Sequence, residues 1–507
     1  MEILRLARLA LLALTALLPH PLPALAASTG TPASPRPLLL YVDPSSERLH
    51  ILPSLEERGC ECVLLHSAGA AAAILKERGG ADCDAEVRAR VLERMVPPPG
   101  EEAGWAEDSL GLSDGTLQLM GVLCGSDGGL ADAERLQDAL LPERSNGIDP
   151  ARRDKYLMNE AVRSAGLRAP LQCSASSWAE ARGWLRANLG SCYPVVVKPR
   201  RGQASVLVGL ARDEAQAERM DSVLRDPGVS VSIAAPELGA GESNVVVQEF
   251  VAGDEYVVDT VSRDGEHKVL AMWKYDKGEA NGAPFVYFGI DAIGVEGDVE
   301  LELIAYTRRL LDALGWRWGP CHIEVKMAPP SRGADGGGVG GDDGGDGPTP
   351  VLIEINAGRW NGEEFQPLAE ACNGHDALRA TLDAYLDADA WREVPAQPPR
   401  ELRQRGKNVK LVCSVEGALT ASPSEAHAEA FRAMPSLVRF ALEANEVGET
   451  VVRTVDLDTC AGYCHLVHAD AAVVEQDYRA LRELQPRLFQ VDSAGGVGAG
   501  EEQGSAH

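Results

Sequence analysis

The chain has 507 residues, 45% hydrophobic and 24% charged, which is more than one ordinary core and implies two to four packed units. That composition excludes disorder throughout. A formal net charge of −28, 76 acidic residues against 48 basic with no long Lys/Arg run, sets a nucleic-acid partner aside.

Residues 1–27 read as a targeting segment. Arg5 and Arg8 precede an apolar run from Leu9 to Leu18 and a small-residue stretch near Ala24 to Ala27, the layout of a signal peptide. The nearly acid-free composition of the segment also suits an organelle transit peptide. The run is too short to span a bilayer as a mature helix, and no other segment suggests a span. After a Pro-rich linker, LLLYVD predicts a buried strand, LHILPSLEERG a helix and CECVLLHS the next strand. TLQLMGVLCGSDGG repeats the theme as a strand ending in a Gly-rich turn, followed by the helix of ADAERLQDALL. Residues 38–146 therefore form a doubly wound N-terminal α/β domain, with the GSDGG turn at the carboxyl end of its strand, where such sheets carry their crevice.

The helix of RRDKYLMNEAVRSAG opens a second unit, residues 150–390, of mixed strands and helices. Within it, residues 328–349 are Gly- and Asp-rich, cannot bury a core, and read as a disordered expansion of a hairpin turn between GPCHIEVKM and PVLIEINAG. Its DDGGDG cluster lacks EF-hand spacing. Residues 405–491 read as a small α+β domain, and 492–507 as a solvated tail. The eleven cysteines show no CxxC pair, which favours a reducing compartment; Cys460, Cys464 and His465 read as packing rather than zinc ligands.

Three stretches carry charge where apolar residues surround it. YPVVVKPRRGQAS delivers Lys198 from a strand to a turn of Gly202, Ala204 and Ser205, suited to phosphate or else a strand end with a solvated lysine. In VVVQEFVAGDEYVVD, Glu255 and Asp259 alternate at period two and need a ribose hydroxyl, a lysine, a metal or a salt bridge as partner. In HIEVK and LIEIN, a hairpin would bring Glu324, Glu354 and Asn356 onto one face as oxygen ligands that suit Mg²⁺. Lys326 shares the Glu324 face, with pairing to that carboxylate and substrate contact as the two alternatives. His322 reads as a structural group, Lys274 as a weaker candidate, and Arg200 and Arg201 as solvated residues of a lid.

Taken in order, RRDKYLMNEAVRSAGLRAP, VVVKPRRGQAS, VVVQEFVAGDEYVVD, GPCHIEVK and LIEINAGRWNG resemble the motif blocks of the ATP-grasp superfamily, in its carboxylate–amine ligase branch of L-amino-acid ligases and carnosine synthase. The resemblance covers residues 38–491. It implies a multidomain α/β and α+β chain with a pre-ATP-grasp domain, a central ATP-grasp fold and a small C-terminal domain. It further implies Lys155 and Lys198 on the nucleotide phosphates under the Gly202 to Ser205 turn. Glu249, Phe250 and Val251 would lie at the adenine edge and Glu255 on the ribose, with Glu324, Glu354 and Asn356 on Mg²⁺ or Mn²⁺. Arg359 would serve the transferring phosphoryl group, although the family's arginine falls one position earlier, where this chain has Gly358. The lid would be the segment 186–247.

The activity so implied is ATP-dependent joining of a carboxylate, such as an amino acid, to an amine through an acyl phosphate, with release of ADP and phosphate. The alternatives are an ATP-grasp ligase of another branch, carboxylase-type or nucleotide-biosynthetic, and a nucleotide-binding module without catalysis. Partners are small molecules, with neither nucleic acid nor membrane for the mature chain, and a homodimer is the assembly this branch suggests. An ATP-using enzyme is expected in an organelle or the cytoplasm, with the secretory pathway as the alternative its N-terminus leaves open.

Overall fold

The computed structural model describes residues 34–44, 51–77, 85–202, 206–226, 229, 243–329, 347–362 and 364–492. The expected targeting segment, nearly all of the glycine-rich insertion and the tail lie outside the described residues. Two compact units divide the chain: Met1–Lys274 with Ala292–Arg403, and Tyr275–Asp291 with Gln404–His507. The first two units of the sequence reading thus share one compact body, and the last takes in Tyr275–Asp291. No described helix is long and apolar enough to cross a membrane.

The larger unit holds three sheets. Strands β1 (Arg36–Val42), β2 (Glu61–Leu65) and β3 (Leu117–Cys124) make a parallel sheet in the order β2-β1-β3. Residues 38–42 of β1 are wholly buried, as an unbroken apolar run with a strand on each side requires. Strand order reverses at β1, which places a crevice beyond the carboxyl ends. There the Ser126 hydroxyl accepts the Gly129 N–H at 3.1 Å and donates to Asp43 at 3.1 Å, fixing the turn that precedes helix Leu130–Leu140.

The second sheet joins β4 (Gln172–Cys173), β5 (Val195–Pro199), β6 (Gly209–Ala211) and β7 (Val245–Glu249), all antiparallel, in the order β4-β7-β5-β6. Val195 and Val197 pack into the core formed with helices Trp178–Leu189 and Glu214–Leu224. Strand alternation therefore turns Lys198 to the opposite face.

The third sheet contains β8 (Asp254–Arg263) and the part of β9 (Glu266–Ala280) that lies in this unit; β10 (Ala283–Ile293) follows with the smaller unit. β11 (Gly319–Ala328) and β12 (Thr349–Ala357) complete the order β12-β11-β8-β9. β11 and β12 are adjacent and antiparallel, with Ala328 opposite Thr349, so the insertion does expand a hairpin turn. Arg168 clamps the mouth of that hairpin, donating to the Ala328 carbonyl at 3.0 Å and the Thr349 hydroxyl at 2.6 Å. One face of the sheet packs on helix Asp298–Ala313 through Ile323, Val325, Leu352 and Ile355.

In the smaller unit β13 (Arg405–Lys410) is followed by the short pair β14 (Gly417–Ala418) and β16 (Thr450–Val451), with β15 (Leu437–Leu442) between them in sequence and β17 (Gly462–His468) after them. The main strands run β10-β13-β17-β15 and share a core with helix Ala471–Leu488. Cys464 belongs to that core. The ten described cysteines are all free thiols.

Candidate active site

The face of the third sheet turned away from helix Asp298–Ala313 carries three tiers of cross-strand neighbours. Lys326 lies opposite Glu255, Glu324 lies between Glu354 and Val257, and His322 lies between Asn356 and Asp259. Opposed residues share a face, so the register itself assembles the cluster. A bulge helps: Glu324 pairs with Glu354 but Val325 pairs with Leu352, leaving Ile353 as the extra residue. That residue resets the alternation, so Leu352 and Ile355 both enter the helix-side core while Glu354 and Asn356 stay on the polar face.

The expected lysines meet this face. Lys155 is the first residue of helix Lys155–Ser164, whose N-cap Asp154 accepts the Tyr156 and Leu157 N–H groups at 3.0 and 3.1 Å. A cation at a helix N-terminus opposes the dipole. Glu354, 2.9 Å from the Lys155 ammonium, offsets this, and the ammonium also donates to the Gly202 carbonyl at 2.5 Å. Gly202 has φ +148°, a conformation glycine favours, and its carbonyl is the acceptor for Lys155. Ser205 lies outside the described residues. Lys198 is 5% exposed. Burial, reinforced by the charge of Lys155 and opposed by Glu354, Glu324 and Glu255, pushes its pKa down to about 8.

The linker after β7 borders the same tiers. Glu249 receives the Leu171 N–H on its carboxylate at 3.0 Å and returns its own N–H to the Leu171 carbonyl at 2.8 Å; burial raises its pKa. The Phe250 ring lies 5.3 Å from the Lys326 ammonium, which donates to the Val251 carbonyl at 3.2 Å and sits 3.6 Å from Glu255. Gly253 packs so tightly that a Cβ there would stand 2.0 Å from the Met327 carbonyl, which holds the linker on β11.

Behind Glu324, His322 Nδ1 is 2.8 Å from Asp259, while its Nε2 is 3.7 Å from Glu324. Burial alone would lower the His322 pKa; the hydrogen bond to Asp259 and the nearby charge of Glu324 outweigh it and push the value up to about 9. Beyond β12, Gly358 at φ +100° turns the chain and Arg359 ion-pairs with Asp127 of the GSDGG turn. The displaced arginine thus meets the GSDGG turn at the carboxyl end of β3, the turn that sequence reading already places at a crevice, although their pairing across 232 residues has no local signal.

Two expectations need correction. Arg200 is not a solvated lid residue: it is 6% exposed, 2.7 Å from Asp154, and its guanidinium lies 5.7 Å from the Tyr156 ring. Arg201 is half-buried rather than solvated. Lys326 sits opposite Glu255 in the register and is in ion-pair contact with that carboxylate, a partner other than the expected Glu324. Lys274 pairs with Asp254 at the surface, 2.7 Å away.

The donor set fits a hard divalent cation. Glu324 and Glu354 are directly opposed like charges with side chains 14% and 21% exposed, and the Asn356 amide is the next polar group on that face. No cluster of three His, Cys, Asp or Glu side chains suited to a metal occurs among the described residues. Two carboxylates and an amide are the oxygen set that Mg²⁺ completes with substrate phosphates and water.

Comparison with known proteins agrees with this geometry. Residues 191–332 match the ATP-grasp domain family. The chain is 26% identical over 376 residues to dapdiamide A synthase of Enterobacter agglomerans, across 73% of this chain and 80% of that one. Its fold is similar to the L-amino acid ligase of Bacillus licheniformis, with a TM-score of 0.61 at 17% identity, covering 89% of this chain and 98% of that one. It is also similar to the phosphoribosylglycinamide synthetase of Anaerococcus prevotii, with a TM-score of 0.53 at 14% identity over 88% and 98% of the two chains. Residues 191–332 thus carry the ATP-grasp domain match, and both the relative and the structures of similar fold are ligases, synthases or synthetases. The similarity to dapdiamide A synthase and to an L-amino acid ligase supports the resemblance to the carboxylate–amine ligase branch.

Proposed function

We propose that the protein joins a small carboxylate, such as an amino acid, to an amine, with ATP cleaved to ADP and phosphate through an acyl phosphate. The observation that carries this reading is the meeting of Lys155 and Lys198 with the opposed carboxylates of Glu324 and Glu354. A carboxylate approaching a triphosphate is repelled, and fixed cations beside the phosphates offset that repulsion. Lys155 and Lys198 serve the phosphate oxygens. Glu324, Glu354 and Asn356 would hold Mg²⁺ or Mn²⁺, which when bound neutralises triphosphate charge. The linker at Glu249 to Val251 borders the adenine and Glu255 the ribose, with Lys326 steadying both.

In the first step a substrate carboxylate oxygen attacks the γ-phosphorus and ADP leaves. In the second, the amine nitrogen attacks the acyl carbon, phosphate leaves, and the nitrogen gives up its proton. Arg359, half-buried beside Asp127, supplies positive charge next to the acyl phosphate. Assaying ADP and phosphate across paired amino acids and amines tests the reading: release is expected only with both partners present. AMP and pyrophosphate as products, or MgATP binding without turnover on any pair, would overturn it.

Lys198 also gives the nucleotide step a proton signature. A phosphate against the ammonium favours its charged form and raises the pKa of about 8. Just above that pH, MgATP binding is expected to take up a proton and to weaken as pH rises. Calorimetry near pH ~8.5 in buffers of differing ionisation enthalpy reads this directly, and a buffer-independent heat would refute it.

A further inference from the structure

Resting on the assignment of Glu324 to the cation, we propose that His322 is a positioning residue: backed by Asp259 and Trp273, it fixes the Glu324 carboxylate against repulsion from Glu354. The chain of contacts crosses three neighbouring strands. Trp273 Nε1 on β9 donates to Asp259 Oδ2 on β8 at 2.6 Å, and Asp259 Oδ1 faces His322 Nδ1 on β11 at 2.8 Å. The other ring nitrogen points to Glu324, 3.7 Å away, an ion-pair contact longer than a hydrogen bond. Trp273 is wholly buried and packs edge-on against Phe365 at 5.2 Å between ring centroids, so the far end of the chain is anchored in the core.

This arrangement differs from a plain buried ion pair. Asp259 and His322 would satisfy each other through one nitrogen, and a buried pair of that kind contributes little net stability over apolar packing. Here the second nitrogen faces Glu324, which lies opposite the carboxylate that Lys155 holds at 2.9 Å. Each member of the pair thus faces a nitrogen from a different element: Lys155 from a helix for Glu354, His322 from the same face of β11 for Glu324. Hydrogen-bonding groups behind ligating carboxylates set their orientation, and losing one costs about 10–100-fold in metal affinity.

The test is Mn²⁺ binding to the full chain in the presence of ADP, read by loss of the free-ion paramagnetic resonance signal, beside ADP binding in chelator. His322→Asn keeps an amide toward Asp259 but withdraws from Glu324. It is expected to weaken Mn²⁺ by about tenfold and to leave ADP binding in chelator unchanged. His322→Gln, which reaches further, is expected to restore part of the loss. Wild-type Mn²⁺ affinity in His322→Asn would overturn the proposal. Glu324→Gln separates the two levels: if it too leaves Mn²⁺ binding unchanged, the cation assignment fails, whereas weakened binding in Glu324→Gln alone sinks only the role of His322. Should His322→Asn not fold, Trp273→Phe retains an aromatic ring against Phe365 and removes only the donor to Asp259. A several-fold loss of Mn²⁺ affinity is then expected, and none would overturn the proposal.

Discussion

Replacing Lys198 with methionine is expected to lower ADP release by about 10²–10³-fold while leaving the melting temperature unchanged or raised. The two effects have one cause. Lys198 leaves an otherwise apolar strand, is 5% exposed, and has burial as the main influence depressing its pKa. Its ammonium is therefore a charge held out of water, which costs stability unless partners compensate. Methionine has similar length and no charge, and swaps of buried charge for apolar side chains are often neutral or stabilising. The same charge, placed beside Lys155, is what a phosphate would need. Steady-state ADP release and a calorimetric melt on the same preparation check both halves; wild-type kinetics would return Lys198 to an ordinary strand residue.

Glu354→Gln is expected to abolish turnover to within about 10⁻³ of wild type and to remove most Mn²⁺ binding, at a stability cost of only about 1 kcal/mol. Glutamine keeps the shape, so the bulge at Ile353 and the pairing with Glu324 are undisturbed. Lys155 loses its partner at 2.9 Å but retains the Gly202 carbonyl, so it is not stranded. Glu324 loses the repulsion of its neighbour. A variant that folds, melts near wild type and still releases ADP at a wild-type rate would show that the opposed carboxylates do something other than hold a cation.

The parts of this site legible in the sequence are those set by periodicity within one strand. HIEVK and LIEIN alternate cleanly, and reading the glycine-rich segment as an expanded turn was enough to put Glu324 opposite Glu354. Lys198 followed from the same alternation in VVVKP. What could not be read depended on distant partners or on a shift of phase. Arg200 follows the end of a strand at Pro199, where alternation no longer assigns a face, and its counter-ion Asp154 lies 46 residues earlier. The bulge at Ile353 leaves no mark in LIEIN. His322 reads as a structural group, and its hydrogen bond to Asp259 agrees, but the partners themselves are not legible in one strand: Asp259 meets it from β8 and Trp273 closes the row from β9. Asp127 and Arg359 belong to opposite ends of the large unit's sequence, and only the fold brings them into contact.

The buried pair of Arg200 and Asp154 has a mechanical consequence. The Arg200 carbonyl accepts the Lys155 N–H at 2.9 Å, the Arg200 guanidinium holds the helix cap Asp154 at 2.7 Å, and Gly202 takes the Lys155 ammonium. The end of β5 and the start of helix Lys155–Ser164 are thereby pinned at three points. Parting the two would expose a buried ion pair, which is costly. The backbone positions from which Lys155 and Lys198 project are therefore set by one shared set of contacts between the helix start and the strand end.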